Sequence, residues 1–417
     1  MDREVLVYVD LDGVAHLTGR LWTRLRKNKE SATFEYDPDW LRHPARFALD
    51  PALTLGPGAF HTAPDAPLFG AIGDSAPDRW GRALMRRMSR REAEREGRAV
   101  RTLREIDYLL MVDDEARQGA LRFAEQAGGP FLREPDASRI PPLLQLPKLL
   151  SAAERIVAEK DTDEDLRLLF APGSSLGGAR PKASVRLEDG SLAIAKFPRR
   201  DDEINVVAWE AVALTLARKA GIVVPAARLE DVAGKPVLVV TRFDRVKGRR
   251  TPFLSAMSML GAKDNESRSY LEFVDVLRRY GAAPVDDMEA LWRRIVFTIL
   301  ISNTDDHLRN HAFLYVGQNG WRLSPAYDLN PVPIDIKPRV LVTAITEDDN
   351  TASLPLALEV AGYFEIAETR ARAIAAEVAT AVSTWRAVAG RHGMSRQQIE
   401  RMASAFEHQD LDHTRRR

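Results

Sequence analysis

The chain has 417 residues, enough for two or three domains and more than one core. Its 60 lysines plus arginines balance 60 aspartates plus glutamates, so no overall charge draws it to nucleic acid or acidic lipid. It has no cysteine, which excludes a disulfide scaffold, thiolate catalysis and cysteine-based metal sites.

The first residues, Met-Asp-Arg-Glu-Val-Leu-Val-Tyr, lack the basic flank and apolar core of a secretion signal. No apolar run approaches the roughly 20 residues that span a bilayer, so the expected location is the cytoplasm, with no membrane partner. Strands are predicted over residues 4–23, with an Asp12-Gly13 turn between two apolar runs. The same stretch, Val-Tyr-Val-Asp10-Leu-Asp12-Gly13, resembles the nucleophile motif of haloacid-dehalogenase phosphatases, with Asp10 as nucleophile and Asp12 as acid/base. Asp305-Asp306 would then supply the acidic pair for magnesium. A return strand directly after the turn favours a plain hairpin, because a parallel sheet demands a crossover helix there.

Pro44, Pro51, Pro57, Pro64 and Pro67 punctuate the next stretch, and a helical pattern follows from Pro77 to about Arg104. Ten arginines against four acids lie between Asp78 and Arg104, which suits a solvated helix face or a nucleic-acid surface. Gly128-Gly129-Pro130 and Pro141-Pro142 mark residues 127–142 as a linker. A helix is expected around Leu144–Lys160, and then the glycine-containing loop Gly173-Ser-Ser-Leu-Gly-Gly-Ala-Arg-Pro-Lys182. Gly177 and Gly178 could bring backbone N–H groups close to phosphate oxygens, and Arg180 and Lys182 add positive charge. The loop matches neither the P-loop nor the protein-kinase glycine pattern, and a plain turn fits it equally well.

Strands are predicted at 183–187 and 191–197, joined by Asp189-Gly190, with Lys196 near the end of the second. A helix over 203–220 has apolar residues at 204, 207, 208, 211 and 214. Asp201 and Asp202 can cap its start and Gly221 its end. Glu210 on that helix is a candidate to orient Lys196. Strands at 227–231 and 236–243 follow, then mostly helix. Met288–Ser302 reads as a buried helix that leads into Asn-Thr-Asp305-Asp-His307-Leu-Arg-Asn310. Ser302 or Asn303 could satisfy its end, which leaves Asp305 without a structural duty. Residues 312–316 and 321–323 form a predicted hairpin before Asp328, and residues 356–406 are alanine-rich and helical.

Four residues separate Asp305 from Asn310, the spacing of the catalytic-loop acid and metal-binding amide of protein kinases. One acid can accept a hydroxyl proton, while Asn310 and Asp328 can hold the magnesium that bridges nucleotide phosphates. His307 could organise this loop or bind a metal.

Six pieces appear in one order: Ser-Ser-Leu-Gly-Gly-Ala-Arg-Pro-Lys (174–182), Ile-Ala-Lys-Phe-Pro (194–198), Trp209-Glu210, Arg-Phe-Asp-Arg (242–245), Asn-Thr-Asp-Asp-His-Leu-Arg-Asn (303–310) and Ser-Pro-Ala-Tyr-Asp-Leu (324–329). Together they resemble the HipA family, serine/threonine kinase toxins of bacterial toxin–antitoxin modules. Gly73-Asp-Ser-Ala-Pro-Asp-Arg-Trp-Gly81 is similar to that family's accessory region.

The resemblance implies an α+β, protein-kinase-like two-lobed fold with an N-terminal strand-containing accessory subdomain and a helical C-terminal lobe. The expected divisions are 1–130, 131–245 and 246–417. It implies ATP and Mg2+, with Asp305 as catalytic base aided by His307, and Asn310 and Asp328 on the metal. Ser175, Gly177, Gly178, Ala179, Arg180, Lys182 and Lys196 would meet the phosphates, and backbone around Thr241 and Phe243 the adenine. Ser175, or the adjacent Ser174, would be an autophosphorylation acceptor. The implied partners are a small helix-turn-helix antitoxin, DNA only through that complex, and a protein substrate such as an aminoacyl-tRNA synthetase. The arginine-rich helix and the Arg415–Arg417 tail would be the surfaces for DNA. A small-molecule kinase, the Asp10 phosphatase and a non-catalytic binding subunit are the alternatives.

Overall fold

The computed structural model describes residues 2–134, 140–173, 178–317 and 320–415. The chain forms two compact units, Met1–Arg199 with Asp231–Leu254, and Arg200–Glu230 with Ser255–Arg417.

The first unit opens with an antiparallel sheet of five strands, in the order Ala59–His61, Lys29–Tyr36, Val14–Arg26, Arg3–Leu11, Leu121–Ala124. Alternation explains how it packs: Ala32, Phe34 and Tyr36 are buried, and the residues between them are not. Asp12 and Gly13 both take positive φ, +54° and +86°, the two-residue turn that matches strand twist. Asp10 accepts the Gly13 N–H at 3.0 Å and lies within ion-pair reach of Arg122 and Arg250. The second strand returns antiparallel to the first, so the phosphatase reading of Asp10 and Asp12 falls. Gly19 is required where the pairing slips at Val7/Tyr8, because a Cβ there would sit 2.2 Å from the Glu35 carbonyl.

The arginine-rich helix runs Arg79–Arg95, shorter than the sequence pattern suggests. Asp78 caps it, and Gly97 at φ +64° turns the chain away beyond it. Arg82 pairs with Glu105, and Arg87 and Arg91 pair with Asp161, so part of its charge serves internal packing. Trp80 and Leu84 join Leu149, Leu150 and Ile156 of the helix Leu146–Val157 in the core beneath the second sheet. In that sheet the strands Lys182–Arg186 and Leu192–Lys196 pair antiparallel about Asp189-Gly190 as expected, and Lys235–Thr241 pairs antiparallel with the second of them. A helix over Asp163–Gly173 was not anticipated. Its signal was present: Thr162 and Asp165 exchange backbone-to-side-chain hydrogen bonds as a capping box.

The segment after Thr241 is fastened by buried charge. Arg242 makes a two-pronged pair with Asp244 at 2.8 and 2.6 Å and donates to the carbonyls of Ala116 and Arg117. Asp244 also accepts the Gly119 N–H at 2.8 Å and pairs with Arg245. Burial alone would raise the Asp244 carboxyl, but Arg242 and Arg245 outweigh it and hold it well below the usual carboxylate range.

In the second unit, the helix Val206–Lys219 is capped by Asn205, whose side chain accepts the Ala208 N–H at 3.2 Å. Asp201 and Asp202 stand too early to cap it, since the first helical residue is Val206. Gly221 at φ +75° closes its other end as expected. Trp209 packs near Trp385 and Phe406, and the last two rings stack at 4.6 Å. The strands Ala312–Tyr315 and Trp321–Leu323 pair as the expected hairpin; Gln318 and Asn319 lie outside the described residues. The alanine-rich C-terminal stretch forms several helices, including Leu354–Val360, Glu368–Val382 and Trp385–Arg391. Among the described residues, no helix is long and apolar enough to cross a membrane.

Asp244→Ala would strand the Arg242 and Arg245 guanidinium groups, so urea-induced unfolding at pH 7 should show a loss of about 3–5 kcal/mol. Because the folded pKa is depressed, this contribution is present above about pH 4 and is lost as pH falls. A loss under about 1 kcal/mol at pH 7 would contradict the buried pair.

Candidate active site

The helix Pro284–Leu300 ends in a tight backbone turn. Ser302 takes φ +51°, its N–H reaches the Ile299 carbonyl at 3.2 Å, and the Asn303 N–H reaches Thr298 at 3.0 Å. These two bonds close the helix, so the side chains of Ser302 and Asn303 are not its caps. Arg339 supports the turn from outside, donating to the Ile299 carbonyl at 3.0 Å and to the Ser302 hydroxyl at 3.1 Å. The position usually favours glycine. Here the serine supplies the hydroxyl that Arg339 holds.

The next two acids differ sharply in burial. Asp306 is buried, its side chain 4% exposed, and one of its oxygens gathers three groups. The Tyr270 hydroxyl lies at 2.5 Å, His311 Nε2 at 3.0 Å and the Thr298 hydroxyl at 3.3 Å. The Thr343 hydroxyl donates to the Asp306 carbonyl at 2.7 Å. Burial works against the Asp306 charge, yet His311 and the donated hydrogen bonds outweigh it and lower its pKa. Burial and that carboxylate push the Tyr270 hydroxyl well above its ordinary value, so it stays a donor. Asp306 is therefore a structural anion, which its neighbour Asp305 is not.

Asp305 is 64% exposed, with Lys337 Nζ 3.7 Å from its carboxylate. Lys337 also donates to the Thr304 carbonyl at 3.1 Å. The Asp305 carbonyl accepts the His307 N–H at 2.9 Å and the Asn310 side-chain N–H at 3.1 Å. The carboxamide of Asn310 is thus oriented by its nitrogen, and Oδ1 remains as its oxygen donor. His307 contributes its backbone to the turn, and its Nδ1 is buried without a partner among the described residues.

Asp328 arrives between two tethers. The Tyr327 hydroxyl donates to the Arg309 carbonyl at 2.7 Å, and the Asn330 N–H reaches Asn303 Oδ1 at 3.3 Å. These bonds bring residues 327–330 onto the 303–310 loop. Asp328 itself is left-handed, φ +57°, and Asn330 donates to its carbonyl and carboxylate at 3.1 and 3.3 Å. Asn303 Nδ2, Thr304 Oγ1 and Asn330 Oδ1 are buried and unpaired among the described residues. A carboxylate and a carboxamide are hard oxygen donors, which suits magnesium held by one or two protein groups plus phosphates. Among the described residues there is no cluster of three or more His, Asp or Glu for a closed protein cage. Asn310 and Asp328 fit the ion in that open manner.

The remaining candidates lie in the other unit. Ser174, Ser175 and Gly177 fall outside the described residues, while Gly178 and Ala179 are exposed and Arg180 is half-buried. Lys182 is buried against Asp78, Nζ to Oδ2 3.3 Å. Lys196 is half-buried at its strand end. Arg242 and Asp244 point into the ionic cluster, so Thr241 and Phe243 at the alternate positions remain half-buried. The sequence reading missed the structural part of both motifs. Asp306, Tyr270 and His311 fix the loop, and Arg242 with Asp244 fixes the strand end.

The family model described as HipA-like C-terminal domain matches residues 174–385, half of the chain. The chain belongs to the HipA-like family. It is 29% identical to the protein named "Putative kinase Y4mE" of Sinorhizobium fredii over a region covering 37% of this chain and 41% of that protein. A "Putative kinase" of Haemophilus influenzae is 25% identical, with 39% and 54% covered. The chain thus spans about half the length of these curated relatives, or less. The solved complex of the Shewanella oneidensis toxin–antitoxin proteins HipA and HipB with operator DNA contains a similar chain. That match has TM-score 0.69 and 15% identity, covering 98% of this chain and 96% of the other. The likeness establishes the fold: this HipA-like chain has the mixed α/β, kinase-like architecture expected from its sequence.

Asp305→Asn should leave unfolding free energy within about 0.5 kcal/mol of wild type, because the side chain is exposed. Asp306→Ala should cost about 3 kcal/mol or more, since it leaves buried donors unpaired. The Asp306 contribution should hold above about pH 4 and decline as pH falls, the sign of a depressed carboxyl. Equal stability losses for the two variants would contradict this division of roles.

Proposed function

We propose that this chain is a serine/threonine protein kinase that transfers the ATP γ-phosphoryl group to a protein hydroxyl and acts as a HipA-type toxin. The observation that carries the reading is the exposed Asp305 carboxylate beside the buried Asp306 anchor, with Asn310 and Asp328 tethered to the same loop. An acid in such a place can accept the hydroxyl proton as the acceptor oxygen attacks phosphorus. Asn310 and Asp328 would hold Mg2+, and His307 would keep the turn between Asp305 and Asn310. Mg2+ held there would supply positive charge to offset that of the phosphates. Lys196 would contact the phosphates. Gly178, Ala179 and Arg180, with Ser175 and Gly177 of the same loop, would cover them, and Lys182 would support that loop. Backbone around Thr241 and Phe243 would receive the adenine.

Ser175, or Ser174 beside it, would be the autophosphorylation acceptor. Nearly two added negative charges beside a triphosphate site would oppose nucleotide binding. The proposed divisions are an accessory region at 1–130, a nucleotide lobe at 131–245 and a catalytic lobe at 246–417. The proposed location is the cytoplasm. The proposed partners are a small helix-turn-helix antitoxin, through which operator DNA would be reached, and a protein substrate of the aminoacyl-tRNA synthetase class. The Shewanella relative, solved with HipB and operator DNA, supports the antitoxin partner.

The test is transfer of labelled γ-phosphate from ATP to protein, with and without magnesium, in a proteome depleted of nucleotide. Asp305→Ala should lower transfer by about 10²–10⁴-fold, the usual loss with a general base. Label appearing only on small molecules would replace the protein substrate by a metabolite. Undiminished transfer by Asp305→Ala would end the assignment of Asp305.

A further inference from the structure

The accessory motif Gly73–Gly81 has no part in the function proposed above, yet it reaches the glycine segment at three points within one unit. The Trp80 N–H approaches the Gly178 carbonyl at 3.4 Å, and the Trp80 indole N–H donates to the Lys182 carbonyl at 2.9 Å. Asp78 receives the Gly81 N–H on one carboxylate oxygen, at 2.8 Å, and faces the Lys182 ammonium with the other, at 3.3 Å. Both partners of that pair are nearly buried, with side chains 9% and 5% exposed. The ammonium also lies directly under the loop: a Cβ on Gly178 would come within 2.9 Å of Lys182 Nζ. Gly178 has φ +95°, a conformation that favours glycine there.

The strand register adds a reason for the acid. Lys182 stands directly opposite Lys196 across the antiparallel pair, an arrangement that is repulsive without a nearby anion. Asp78 supplies that anion from outside the sheet. Burial pushes its carboxyl up to about 6, against the pull of Lys182 and the Gly81 N–H.

We propose that the Asp78–Trp80 turn is an intramolecular clamp that fixes the segment Gly178–Lys182, with Asp78 as a positioning residue acting through Lys182. Its importance for nucleotide binding rests on the reading of that segment as the phosphate loop. Lys182 then serves the loop from beneath, and the accessory region becomes a part the loop needs for its shape. A chain lacking the clamp keeps the exposed residues Gly178 and Ala179 but loses the frame that presents them.

Hydrogen exchange on the full chain tests the clamp without relying on activity. Asp78→Asn keeps an oxygen to cap the helix but removes the charge opposite Lys182. Trp80→Phe keeps the ring and removes the donor. In each, exchange at the amides of Ala179, Arg180, Lys182 and Ala183 should rise about tenfold, the effect of losing one buried or charge-assisted hydrogen bond. Adding Lys182→Met to Asp78→Asn removes the ammonium that faced the lost charge and should restore slower exchange at Ala179 and Arg180. Affinity for ATP with magnesium should fall in Asp78→Asn and Trp80→Phe. Exchange that responds in a chain that binds no ATP supports the clamp and ends the nucleotide reading. Unchanged exchange, or exchange raised throughout the first unit, overturns the clamp whatever ATP does.

Discussion

One buried carboxylate determines what the residue beside it is able to do. Asp306 takes hydrogen bonds from Tyr270, His311 and Thr298, groups contributed by the helices Tyr270–Tyr280 and Pro284–Leu300 and by the start of the hairpin. Its own backbone carbonyl is held by Thr343. With these bonds made, the backbone around it has little freedom, and adjacent side chains point to opposite sides. Asp305 is left at the surface on a rigid base, the condition for a catalytic acid or base to be aimed rather than merely present.

Charge serves the first unit in a different manner. Arg117, fully buried, spends its guanidinium on the carbonyls of Ser75, Leu109 and Val112. Arg242, Asp244 and Arg245 close on the backbone of residues 116–119. Such groups contribute little net energy compared with an apolar core of equal volume, but a single register satisfies all of them. They fix where the strand Lys235–Thr241 ends, and hence where Thr241 and Phe243 emerge. In the arginine-rich helix, too, Arg82, Arg87 and Arg91 pair with Glu105 and Asp161, so part of its charge is internal architecture.

Much of this was legible in the residues. The Asp12-Gly13 hairpin, the paired strands about Asp189-Gly190 and the buried helix before Asp305 all follow local rules of turn chemistry and periodicity, and all are present. The order Asp305, Asn310, Asp328 is plain in the sequence, and the tethers from Tyr327 and Asn330 bring residues 327–330 onto the 303–310 loop. What spacing could not show was which of two adjacent acids would be buried. That depends on Tyr270 and Thr343, each more than 30 residues from Asp306 in sequence. The cap of Val206–Lys219 was misplaced for a similar reason: Asp201, Asp202 and Asn205 are all good caps, and tertiary packing decides which one begins the helix. The Asp78–Lys182 pair spans 104 residues and had no sequence signal beyond the two motifs themselves.

The most direct measurement is the location of magnesium and a non-hydrolysable ATP analogue bound to the wild-type chain, by crystallography. The expected result has the metal on the Asn310 carboxamide oxygen and the Asp328 carboxylate, with the terminal phosphate beside Asp305. A nucleotide seated away from Asp305, or a metal held by neither Asn310 nor Asp328, would contradict the assignment of this loop to phosphoryl transfer.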